Sequence, residues 1–362
     1  MTNTNDVSKQ KQDIQFNSIG ITWRFAPTHP VITYLLLTFA WSWLIWFAAI
    51  PFATQNKFLL YALTLVGGFG PAIGGIITLG LKKGLRIDLN LKKIIAWILT
   101  SAFIFGLMDI RYSLGNIEGF ETLPGDLQLT PAVVISALVT CLIGGWMISN
   151  ARSSNFEIRA KMGSLLPKFT KFRFSILALS VYPLLILISW AGASLLGLDI
   201  EYPGLWGQSA TTVLPLFLLS FSLTALARGG NEEPGWRGVM QPELQKKVSP
   251  LAASLIIAFF WSLWHLPLFL NGFYSGPVVA GMIGGGIFRV FLSIFLTWAY
   301  NRSDGNVLLM VLLHASFNVI VDYLPLSDVL LAILWLLVSI IVVVSDKMYK
   351  RHPDKQLNPI SY

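Results

Sequence analysis

The sequence predicts an all-α fold, a polytopic transmembrane helix bundle of about eight to ten spans with both termini in the cytoplasm. Three observations predict it. In 362 residues, 54% are hydrophobic and only 12% are charged, and the mean hydropathy is +0.65, a balance foreign to soluble domains. Several apolar runs reach roughly 20 residues, enough for a helix rising about 1.5 Å per residue to cross about 30 Å of hydrocarbon. The basic residues, finally, fall on one side of the alternation these runs impose.

Ten runs qualify: 31–52, 58–81, 94–113, 131–149, 174–197, 209–227, 251–270, 279–300, 306–322 and 327–345. The weakest are 94–113, which holds Asp109 and Arg111, and the short 131–149. With a cytoplasmic N-terminus, the inner segments collect Lys82, Lys83, Arg86, Lys92 and Lys93, then the cluster from Arg152 to Arg173, then Arg228, Arg237, Lys246 and Lys247, and Arg302 with both tails. Only Lys57 and Arg111 fall outside and Arg289 lies within a span, so 23 of the 26 Lys and Arg face inward. That is the positive-inside pattern, and it assigns the net charge of +8 to a membrane surface rather than to nucleic acid. The loop 114–130 is acidic through Glu118, Glu121 and Asp126 and belongs outside. Residues 1–29 lack the basic-then-apolar order of a signal peptide and read as a polar cytoplasmic tail. Residues 30–345 form the membrane domain and 346–362 a basic cytoplasmic tail, with His352 a solvated residue. The single cysteine, Cys141, lies in an apolar run and is a packing residue; no intramolecular disulfide can form.

Charges at bilayer depth are costly unless paired or hydrated, which directs attention to three clusters. "NEEPGWRG" holds Glu232, Glu233 and Arg237; "FFWSLWHLPLF" sets His265 among aromatics; "LLHASFN" puts His314 and Asn318 four apart, on one helix face. Singly, each has a plain reading: an interfacial ion cluster, a packed histidine, polar glue between spans. If 235–247 is helical, with Lys246 and Lys247 snorkelling to the inner headgroups, Glu232 lies up to roughly 21 Å inside the membrane; if that stretch lies flat, the acids sit at the inner face. Pro234 and Gly235 are expected to break the helix just after the acids, and a cavity beside them is expected to open to the cytoplasm. "GGFGPAIGG" (67–75) predicts close helix packing bent at Pro71, or a hinge in a substrate path. "GMIGGGIF" (281–288) predicts close contact or a local break. Arg289, alone in mid-span, is expected to pair with an Asp or a carbonyl, and Asp109 with Arg111 to form a local pair or an outer-leaflet anchor. The long basic loop 152–173 reads as an interfacial segment against anionic headgroups.

Peptide hydrolysis needs a base for water, donors for the oxyanion and an acid for the leaving amine. A buried carboxylate can be the base, and His and Asn can be the donors. The same atoms can bind Zn²⁺ or another divalent metal, with Glu232, His265 and His314 as the ligand set; spacing does not choose between metal-bound and metal-free water, although HExxH is absent. The sequence has no GxSxG, no Walker motif and no Cys near a His.

"EEPGWRG", "WSLWHLP" and "HASFN", in that order, resemble the EExxxR, FxxxH and HxxxN motifs of the CAAX protease and bacteriocin-processing (CPBP) family of intramembrane endopeptidases, also called the type II CAAX prenyl protease or abortive-infection family. The resemblance covers 225–322, which it marks as the catalytic core. It implies that Glu232 is the general base, that His265 helps hold the water or a metal, that Glu233 and Arg237 set the charge environment, and that His314 and Asn318 stabilise the oxyanion. One position departs: Trp261 stands where the second motif has Phe, and the two are alike as bulky aromatics. The first five spans match the family only in general character.

The reading that follows is a membrane-embedded peptidase cutting a hydrophobic or membrane-associated peptide or protein, prenylated or bacteriocin-like, in a prokaryotic plasma membrane, with the lipid bilayer as its other partner and no nucleic acid. Its alternative is a non-catalytic membrane protein that confers bacteriocin self-immunity or scaffolds a sensor. A secondary transporter predicts paired halves, and the motifs have no second copy.

Overall fold

Helix starts are written locally into the sequence. Asn56, Thr130, Ser249 and Asn306 each accept the backbone N–H three residues on, from Leu59, Val133, Ala252 and Leu309, and Pro30, Pro131 and Pro250 occupy first-turn positions, where a missing N–H costs nothing. Beyond each start the chain is apolar, and in hydrocarbon only an intrasegment ladder satisfies the backbone.

This computed structural model describes residues 25–52, 54–82, 88, 90–114, 130–167 and 171–351. Residues 1–24 of the expected N-terminal tail, the acidic loop residues 115–129 and the end of the basic tail, His352 included, lie outside the described residues. In chain order the helices are α1 (Pro30–Ala48), α2 (Lys57–Gly67), α3 (Gly70–Leu81), α4 (Leu91–Leu114), α5 (Pro131–Ser149), α6 (Phe156–Met162), α7 (Phe172–Leu196) and α8 (Ala210–Ala227). A composite helix α9 joins Glu233–Gly235, a π-helical Trp236–Met240 and Gln241–Gln245. Then come α10 (Pro250–Trp264), α11 (Val278–Arg302), α12 (Val307–Val319) and α13 (Asp328–Ser345). The only β-pairing among the described residues is one isolated bridge, Glu201 with Leu326.

Nine helical stretches among the described residues are long and apolar enough to cross a membrane, so the all-α polytopic bundle stands. The run expected at 306–322 is instead a shorter apolar helix. Its 13-residue α12 ends in a 3₁₀ turn, Ile320–Asp322, and packs against α7, α8 and α11. Enclosed by protein, it need not match the thickness of the bilayer. The lipid-facing belt lies on other helices, where Ile98, Phe103, Leu195 and Ile341 are exposed.

The two weak runs pair as a hairpin. Gly144 and Gly145 of α5 face Ile104 and Ser101 of α4, and the Trp97 indole donates to the Leu142 carbonyl at 2.8 Å. Asp109 is exposed and Arg111 buried, since residues two apart in a helix do not share a face. The stretch 67–75 does interrupt its span between α2 and α3. Gly70 and Gly74 admit Ser42 and Thr38 of α1, and Gly235 of α9 rests on the Pro71 backbone. In the second glycine stretch α11 runs unbroken, and the close contact is at Gly281, against the Phe269 ring.

At the basic end, Asp88 accepts hydrogen bonds from the Ser153 hydroxyl and from the Ser154 amide and hydroxyl, with Lys93 Nζ at 3.5 Å. Burial alone would raise its pKa; the Ser154 and Ser153 bonds outweigh burial and hold it at about 2, so the latch stays charged at any cellular pH.

Candidate active site

Three helices converge in mid-bundle. After α8 the chain breaks at Arg228–Gly230, where Gly229 takes φ +152°, a region side chains disfavour. A 3₁₀ turn, Gly230–Glu232, then feeds α9. The expected break after the acids lies before them instead. Pro234 falls in the first turn of α9, where its missing N–H starts a helix rather than ending one. The segment before Lys246 is therefore helical, and the acids lie inside the bundle: Glu232 is 7% exposed, Glu233 and Arg237 0%. Asn231 holds the turn in place by accepting the Gly229 amide at 2.8 Å and donating to the Gly68 carbonyl, which the α2–α3 break leaves unpaired, at 3.1 Å.

Glu233 and Arg237 stack one turn apart, and the π-helical turn starts between them. Arg237 Nη1 donates to Glu233 Oε1 at 3.2 Å, and His314 Nδ1 lies 2.7 Å from the same oxygen. Arg237 Nη2 reaches Ser293 Oγ at 3.3 Å. A single carboxylate thus ties α9 to α12, while arginine ties it to α11.

His265 sits at the junction of α10 and the short helix Leu266–Leu270, where Pro267 has no N–H to continue the ladder. Its Nδ1 lies 2.8 Å from the Trp261 carbonyl. A carbonyl can only accept, so Nδ1 carries the proton and Nε2 presents its lone pair.

Trp261 is the hub. Its indole N–H donates to Glu232 Oε2 at 2.6 Å, the Arg237 guanidinium lies 4.8 Å from its ring centre, and the His314 ring packs edge-on at 5.3 Å. Size equivalence with Phe misses this, because a phenyl ring has no donor. Trp261→Phe keeps an aromatic ring but leaves a small void and removes one bond to a carboxylate; the expected result is a roughly 10-fold loss in kcat/KM, about 1.4 kcal/mol, with a modest fall in thermal stability. Full activity in the variant would deny the indole any role.

A cavity of ≈ 200 Å³ is lined by Glu232, His265 and Asn318, with Arg228, Trp264 and Tyr274 among its other walls. Glu233 and Arg237 stand behind this wall, with His314 between, its Nδ1 on Glu233 and its Nε2 toward Gly229. Sequence reasoning also overlooked Gly229. A Cβ built there would stand 3.0 Å from His314 Nε2 and 2.5 Å from Asn318 Nδ2, so the space a side chain would occupy is where those two groups converge. Gly229→Ala should cut turnover at least about 100-fold, the scale of losing an oxyanion donor, while all polar side chains remain; wild-type turnover would refute this placement. The doubled glycine before the acids was the available signal.

Among the described residues Arg289 has no Asp partner. It lies beside Tyr274, within electrostatic reach of Glu232 and His265, as a cation near the site. Among the described residues, no three His, Cys, Asp or Glu side chains are grouped to hold a metal ion. Of the suggested set, His314 holds Glu233 by Nδ1 and Glu232 holds the Trp261 indole by Oε2, which leaves His314 Nε2, His265 Nε2 and Glu232 Oε1 as the atoms that would take a metal.

Residues 213–320 match the family described as Rce1-like, type II CAAX prenyl endopeptidase Rce1-like. All six motif residues fall inside that match. This segment is similar to that family. A curated relative, CAAX prenyl protease 2 of Methanococcus maripaludis, is 29% identical over 161 residues, which cover 42% of this chain and 57% of the relative. The chain thus spans little more than half the length of that protein. The Rce1-like segment runs from α8 to the end of α12 and holds every wall of the cavity that bears the motifs, whereas α1 and α2 contribute Trp46, Tyr61 and Thr64 from outside it.

Proposed function

We propose that this chain is an intramembrane endopeptidase that hydrolyses a peptide bond in a hydrophobic or membrane-associated substrate. Glu232 removes a proton from a water held between its carboxylate and His265 Nε2. The water oxygen attacks the peptide carbonyl carbon, and the resulting oxyanion lies over Gly229, between Asn318 Nδ2 and His314 Nε2. Glu233, accepting from His314 Nδ1, lets that imidazole carry the positive charge that makes Nε2 a donor, and Arg237 balances the carboxylate. Collapse breaks the C–N bond as Glu232 returns its proton to the leaving nitrogen, so the carboxylate ends as it began.

One observation carries this reading: a carboxylate, an imidazole lone pair and an amide donor line one cavity, with the partners that orient them buried behind. The donor arrangement favours water activated by side chains, and Zn²⁺ or another divalent ion remains for metal analysis of the purified protein to decide. The test compares membrane and secreted peptides in cells expressing wild type or Glu232→Gln. Cleavage products present in the first and absent in the second are expected; an identical peptide population would sink the proposal in favour of a non-catalytic immunity or scaffolding protein.

A further inference from the structure

Away from the candidate active site, cations gather around a single carboxylate where α3 and α9 end. Lys82 follows the last residue of α3 and Lys246 the last of α9. Both reach Glu243: Lys82 Nζ lies 2.6 Å from Oε1 and Lys246 Nζ 2.7 Å from Oε2, so each carboxylate oxygen is taken by a different ammonium. Arg351 Nη2 donates to the Lys246 carbonyl at 2.7 Å, which ties a further cation beside them. Lys161 of α6 completes the group. Glu243 and Glu157 are the acids that act on it, against Lys246 and Lys82, and among the described residues its ammonium forms no ion pair.

The segment around α6 fixes Lys161 in that company. Ile158 and Met162 are 7% and 0% exposed, Asn155 accepts the amides of Glu157 and Ile158, and Ser164 Oγ donates to the Lys161 carbonyl at 2.7 Å. The Asp88 bonds to Ser153 and Ser154 hold the chain just before it. Burial pulls the Lys161 pKa down; Glu243 and Glu157 resist the fall, and Lys246 and Lys82 add to it. Ammonium groups packed this closely repel one another, and Glu243 has no oxygen left over. The fold therefore keeps a surplus of positive charge at one spot, where an anion would relieve it.

The surroundings say which anion. The ends of spans lie at headgroup depth, and apolar side chains flank the cluster. Phe156, in the first turn of α6, is 61% exposed, and Tyr349, two residues before Arg351, is 53% exposed. A soluble anion has no use for them, whereas a phospholipid brings a phosphate and acyl chains together.

We propose that Lys82, Lys161 and Lys246 bind the phosphate of an anionic lipid headgroup, with Phe156 against its acyl chains. Glu243 orients the outer two ammoniums and Lys161 supplies the charge that Glu243 leaves unbalanced. Because Glu243 lies on α9 with Glu233 and Arg237, the bound lipid braces the helix that carries them. No step of the peptidase reading is needed.

The test is lipid binding by the full chain in detergent micelles, followed by native mass spectrometry and by the thermal unfolding midpoint, with phosphatidylglycerol compared with phosphatidylcholine of the same acyl chains. Phosphatidylglycerol should be retained and should raise the midpoint, and phosphatidylcholine should do neither. Lys161→Gln should weaken phosphatidylglycerol binding about 5-fold, the worth of one cation near an anionic lipid surface, and replacing Lys82, Lys161 and Lys246 together should weaken it on the order of 100-fold. Lys161→Arg should restore binding. Lys247→Gln, which removes an exposed lysine next to the cluster, should change little; a loss equal to that of Lys161→Gln would mean diffuse surface charge and overturn the proposal. An equal rise in midpoint with inorganic phosphate would overturn the lipid assignment. In phosphatidylcholine alone Lys161→Gln should unfold no earlier than wild type, since it removes a buried, repelled charge. Earlier unfolding there with phosphatidylglycerol binding intact would make Lys161 a structural residue and overturn its role.

Discussion

Glu232→Gln should reduce peptide cleavage by about 10²–10⁴-fold, the scale of a positioned general base, equivalent to roughly 3–5 kcal/mol of transition-state stabilisation. The exchange is nearly isosteric, and the amide oxygen can still accept the Trp261 indole that now reaches Glu232 Oε2 at 2.6 Å. Folding, membrane insertion and detergent thermal stability should therefore stay close to wild type, so the lost activity belongs to proton transfer alone. His265→Ala should also lose activity, since it removes the lone pair facing the same water. A Glu232→Gln enzyme retaining more than about a tenth of wild-type kcat/KM would assign the base elsewhere.

Arg237→Leu should act on stability first. Arg237 and Glu233 are both 0% exposed and joined at 3.2 Å, and removing one member of a buried pair typically costs about 3–5 kcal/mol because the other charge is stranded. Thermal unfolding in micelles should show a large fall in midpoint. The double variant Glu233→Gln with Arg237→Leu should recover much of that fall, because the carboxylate that needed arginine is gone. Strictly additive losses would mean the pair is not coupled. Activity should not return in the double variant, since His314 would have lost the carboxylate at its Nδ1.

The sequence disclosed the parts that depend on local spacing. Glu233 and Arg237, four apart, meet as helix neighbours, and the capped and proline-led helix starts are visible at Asn56, Thr130 and Pro250. Apolar length located the spans, apart from α12, whose shortness follows from enclosure by other helices, a property no single run records. The rest depends on contacts between distant segments. Glu233 meets His314 across 81 positions, and Trp261 meets Glu232 across 29. Pro234 could be read as breaker or starter, and only the position of the preceding turn decides.

Gly229 carries a consequence for anyone mapping this site by substitution. Alanine is ordinarily a deletion, trimming a side chain to learn what its atoms did. Here it is an insertion, a single methyl delivered to the one spot where His314 and Asn318 both point. On the proposed mechanism a residue with no functional group would therefore rank beside the acids and histidines in a scan, because what position 229 would contribute is room.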